Sequence, residues 1–153
     1  MTRALLLVHL GAAVLLLGAS GHAAIASVQI ARGRADKQRL ARTYATIVAV
    51  VYPIVLGLGA LLYPSFGLGV RGPYFDVAAP WASRLFEIKE HVAALTLPLP
   101  IVSVAIHRGS PGAGRGARRA HVALAWIVFA AVLLSATTGA LLVSIRSVGA
   151  ASL

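Results

Sequence analysis

Five histidines, His9, His22, His91, His107 and His121, are the side chains of this chain with the widest chemical reach. There is no cysteine, so thiolate metal sites, disulfides and redox thiols are excluded. A di-iron bundle needs more than the two span-end carboxylates available here. What remains is imidazole ligation. Glu87 precedes His91 by one helical turn and shares its face, so Glu87, His91 and His9 form an N and O donor set suited to copper or iron. Glu90 and Lys89 are expected to point away from that face. The other reading of Glu87 and Lys89 is a solvated, charged helix start. No Ser/His/Asp arrangement or activated nucleophile is present, and an enzyme acting alone is not expected. The Gly-rich stretch HRGSPGAGRGARRAH lacks the GxxxxGK[ST] pattern of a phosphate cradle.

What these imidazoles can do depends on the elements that hold them. Of the 153 residues 59% are hydrophobic and 12% charged, far more apolar than an ordinary soluble domain. Arg3 is followed by no charged residue until Arg32, and Arg42 by none until Arg71. A bilayer core takes roughly 20 apolar helical residues, so each gap holds one span. The same count places two more, and the spans fall at about 4–28, 43–63, 86–107 and 120–145. The predicted fold is all-α, an integral membrane four-helix bundle occupying 1–153 as a single transmembrane domain.

Lys and Arg number 14 against 4 Asp and Glu, a net charge of +10. Nine of the basic residues lie in two short loops, Arg32 to Arg42 and Arg108 to Arg119. That distribution excludes a nucleic-acid surface and marks both loops as cytoplasmic, which puts both termini and the 63–86 connection outside a bacterial-type inner membrane. Arg3, the apolar run after it and Ala24-Ile25-Ala26 also resemble a secretory signal peptide. Cleavage there would send the most basic loop outside, so an uncleaved first span is expected.

Counting at 1.5 Å per residue, His9 lies about 8 Å and His91 about 5 Å inside the outer face, on parallel helices. Facing histidines in four apolar helices, His9 in LLVHLGAAV and His91 in EIKEHVAAL, resemble the four-helix membrane-bound b-type cytochromes and haem-bearing anchor subunits. The resemblance implies haem b held by His9 and His91, electron transfer, and membrane or periplasmic redox subunits as partners beside the lipid bilayer, with self-association left open. A second haem would take His22 with His121 or His107. Thirteen positions separate His9 from His22, which leaves them about 140° apart around the helix rather than aligned, and interfacial solvation is the competing account of the three inner histidines. The alternative function is a non-catalytic membrane subunit or assembly factor.

Packing and interface signals complete the reading. Gly11, Gly18 and Gly21 are expected to let a neighbouring helix approach, as are Ser135 and Gly139. Tyr52-Pro53 predicts a kink, Tyr63-Pro64 a helix end, and Leu97-Pro98-Leu99-Pro100 a break. Tyr63, Phe66, Tyr74, Phe75, Trp81 and Phe86 suit the headgroup level or a partner.

Overall fold

The computed structural model describes residues 2–109 and 114–146, and all regular structure among them is helical. Helix α1 spans Thr2–Ala31, and its 30 residues are ample for a hydrocarbon core about 30 Å thick. It stops at Gly33, whose φ of +90° only glycine adopts without strain. The Gly33 N–H donates to the Ile30 carbonyl (2.9 Å) and the Arg34 N–H to that of Gln29 (3.1 Å), the paired bonds of a Schellman cap. A 3-10 turn, Ala35–Lys37, then reverses the chain into α2, Gln38–Phe66.

Helix α2 runs through Pro53 and, contrary to expectation, does not end at Pro64. It passes directly into a π-helical segment, Gly67–Phe75, with the Gly67 N–H turned to the Pro64 and Tyr63 carbonyls. This wider coil holds the Gly-rich run and Pro73, residues that are poor formers of a regular α-helix. The short α3, Asp76–Ala78, follows, and after Ala79 helix α4, Pro80–Thr96, begins with proline in its first turn, where a missing N–H costs nothing.

The expected break at Pro98 is present: α4 ends at Thr96 and α5 runs Pro98–Gly109. The Leu97 N–H donates to Ala94 (3.3 Å) rather than one residue further back. This frees the Ala93 carbonyl, and the Tyr52 hydroxyl donates to it at 3.2 Å while lying 2.6 Å from Thr96 Oγ1. A backbone acceptor released in an apolar bundle must find such a partner. The last helix, α6, spans Arg115–Ile145.

Helix α1 packs between α2 and α6, and the α4–α5 span closes the opposite corner, against α6 along α4 and against α2 and α6 along α5. The core joins Leu16 and Ala19 to Val48, Tyr52, Val128 and Val132. A second cluster under the 67–75 segment gathers Val70, Phe75, Ala79, Ala82 and Leu142. Large apolar residues face outward as well: Leu7 is 69% and Leu95 77% exposed. Outward leucine alongside inward Ala and Ser is the pattern of a bundle whose solvent is lipid. Four helices are long and apolar enough to cross a membrane.

The glycines contribute less to packing than expected. Gly11, Gly18 and Gly139 face open space, and only Gly21 of α1 meets a neighbour, the Phe129 ring. Close approach on α1 is made instead by buried Ala19, Ser20, Ala24 and Ser27, whose hydroxyls donate to their own helix at Leu17 and Ala24.

Candidate functional site

The half of the bundle interior nearest the 63–86 connection carries an imidazole and the lysine of an ion pair. His9, on α1, points toward α2. A Cβ placed on Gly59 would lie 3.6 Å from His9 Cε1, and the ring is within interaction range of the Val55 carbonyl. Across the bundle its charged neighbours are Lys89 and Glu90 of α4. His9 Nδ1 is buried and has no hydrogen-bond partner among the described residues. A buried ring nitrogen with no partner loses its hydration without compensation, which native structures rarely tolerate except at functional groups.

Lys89 and Glu90 are bonded to each other, and the Lys89 ammonium lies over the Phe86 ring, 4.8 Å from its centre. Only 18% of the Lys89 side chain is exposed. A lysine drawn into an apolar bundle needs a paired carboxylate, and Glu90 supplies it. These two residues carry the polar interior that imidazole counting alone misses. The signal lay in the helical stripe Ala82, Phe86, Lys89 and Ala93, a run of inward positions at spacings of three and four.

His91 lies on an exposed face of α4, with Nδ1 2.7 Å from the Glu87 carbonyl. Glu87 is also exposed, and its carboxylate is held by Arg71. Hence Glu87 and His91 do share a face, as their spacing predicts, but His9 points into the bundle. Among the described residues no three His, Asp or Glu side chains are grouped so as to hold a metal ion, and the set His9, His91 and Glu87 is not assembled. The reason is rotational. Lys89, not His91, occupies the inward position of that turn, with the Glu90 carboxylate partly exposed beside it.

The remaining histidines are dispersed. His22 is exposed, bonded through Nδ1 to the Gly18 carbonyl at 2.8 Å, and stacked on Tyr44 with ring centres 4.9 Å apart. His121 is buried, with Nδ1 3.2 Å from Ser103 Oγ, and so ties α6 to α5. The side chain of His107 and residues 110–113 of the Gly-rich loop lie outside the described residues.

Next to the interior site the 67–78 connection is fastened to α4. Arg71 engages Glu87, approaches Asp76 at 3.7 Å and donates to the Tyr63 hydroxyl at 3.1 Å. Asp76 in turn accepts from Ser83. Phe66 stacks on Phe86, and Phe75 is fully buried at its edge. Most of the aromatics expected at the headgroups therefore fold onto one another, and Trp81, 54% exposed, is the one that stays outward on α4. No family model, no curated protein and no solved structure matches this chain.

Proposed function

We propose that the chain is a b-type haem-binding electron-transfer subunit of a membrane redox complex, in which His9 would hold the haem from the bundle interior. The observation that carries this reading is the buried His9 Nδ1, without a partner among the described residues, on a ring packed against Gly59 of α2. An imidazole with a lone pair to give, in an apolar setting, is suited to haem iron, which supplies reversible one-electron chemistry when bound. The protein's own part is to hold that ring in place and to keep water from it.

His91 fits the second axial position in one respect only. The contact of its Nδ1 with the Glu87 carbonyl leaves Nε2 for ligation, an arrangement common among metal-bound histidines, but the ring lies on the outward face. The second ligand is therefore His91 or a group from a neighbouring subunit. The outward placement of His91 equally favours the other reading, a subunit without a cofactor that docks a larger partner through the exposed surface around Trp81. In either case the basic α1–α2 turn is assigned to the cytoplasmic side of a bacterial-type inner membrane.

The absorption spectrum of the purified, haem-replete protein tests the proposal. A reduced Soret and α band supports haem, six-coordinate low-spin if His91 completes the site and high-spin if a partner does. A chain free of haem after expression in haem-sufficient cells selects the subunit reading.

A further inference from the structure

The four carboxylates of the chain are all engaged. Asp36 is paired with Arg34 and Lys37, Asp76 with Arg71, Glu87 with Arg71 and Glu90 with Lys89. No acid is left for the arginines that flank the α1–α2 turn. Arg32, Arg39 and Arg42 are exposed, and none has a salt bridge among the described residues. Arg39 and Arg42 lie one turn apart on α2, on a stripe continued by Thr43 and Thr46. The two threonine hydroxyls are satisfied within the helix, donating to the Arg39 and Arg42 carbonyls at 3.1 and 2.9 Å. The guanidinium charge alone is unmatched.

Its surroundings name the counter-charge. Val50, 55% exposed, continues the Arg39 and Arg42 stripe two turns further along α2, and Ile25 of α1, 55% exposed, lies two turns before Arg32. A ligand seated here meets cations at one end and aliphatic side chains further from the turn. Arginine pairs with phosphate through parallel N–H donors and outcompetes its own hydration when doing so. We infer that Arg32, Arg39 and Arg42 form a site for an anionic phospholipid, with the phosphate against the guanidinium groups and an acyl chain along Val50 and Ile25. The lipid then supplies the negative charge that the sequence omits, and fixes the depth of the α1–α2 turn.

The opposite end of the bundle provides the control. Arg3 and Arg84 are also exposed and lack salt bridges, but they are on separate helices and do not flank a turn. Purified protein in mixed micelles of equimolar phosphatidylglycerol and phosphatidylcholine is measured by native mass spectrometry. The wild type should retain phosphatidylglycerol preferentially. At roughly fivefold per arginine, R39Q/R42Q should lower that preference by about 25-fold, toward parity, whereas R3Q/R84Q, with the same change in charge, should keep it. Equal retention of the two lipids by the wild type, or equal loss in both double variants, overturns the site.

Discussion

The Tyr52 hydroxyl donates to the Ala93 carbonyl across the interface between the second and third spans, at the position where Pro98 has shifted the helical ladder. The bond compensates for a broken turn, and Tyr52 is 3% exposed, so water cannot take its place. Tyr52→Phe should destabilise the bundle by about 0.5–1.5 kcal/mol, the usual range for one buried hydrogen bond. Unfolding in mixed detergent measures it. A variant as stable as the wild type would mean that the α4–α5 break is satisfied without Tyr52.

The Arg71 clasp makes a second expectation. Its guanidinium joins the 67–75 segment to Glu87 on α4, but with the carboxylate about half exposed the pair is a modest contributor. A double-mutant cycle of Arg71→Gln and Glu87→Gln should return a coupling of about 0.5–1 kcal/mol, and hydrogen exchange across 67–75 should speed up in both single variants. Additive effects of the two changes, with unchanged exchange, would show that the aromatic cluster alone holds the segment.

The four spans and the Pro98 break were legible because charge gaps and proline act locally and leave a mark in one dimension. The 67–75 segment was not. Gly67, Gly69, Gly72 and Pro73 read as a loop, yet the buried Val70 and Phe75 draw that stretch into a wound coil against Ala82 and Leu142, a contact invisible in sequence. The candidate site divides in the same way. The place of His9 in the first turns of α1 follows from counting, whereas the inward facing of Lys89 rather than His91 depends on the rotation of α4, which is set by packing against α6 and by where Pro80 starts the helix. Gly11 and Gly18 were misleading for a related reason: glycine permits close approach but does not require it.

Topology is open to direct test. Reporter fusions after Arg39 and after Arg115 should read cytoplasmic, and one near Gly69 external, because the basic residues concentrate in the two shorter connections. A periplasmic reading at Arg39 would reverse the bundle and place the arginine turn in the outer leaflet.

Trp81 is the exposed aromatic of α4, so in a Trp126→Phe variant its fluorescence reports the environment of the outer connection. Quenchers attached near the lipid headgroup should act strongly and those at the bilayer centre weakly. The reverse order would bury α4 deeper than its charged start, Arg84 to Glu90, allows.

The central claim is that His9 is the haem ligand this chain supplies from its interior, and the most direct measurement is the spectrum of His9→Ala beside the wild type, His91→Ala and His22→Ala at matched membrane levels. Insertion is driven by the apolar spans and should be equal in all four. His9→Ala should lose the haem Soret band, His22→Ala should keep it, and His91→Ala should either retain haem or turn it from low-spin to high-spin, according to which group fills the second position. A His9→Ala protein with the wild-type haem content and spectrum would contradict the account.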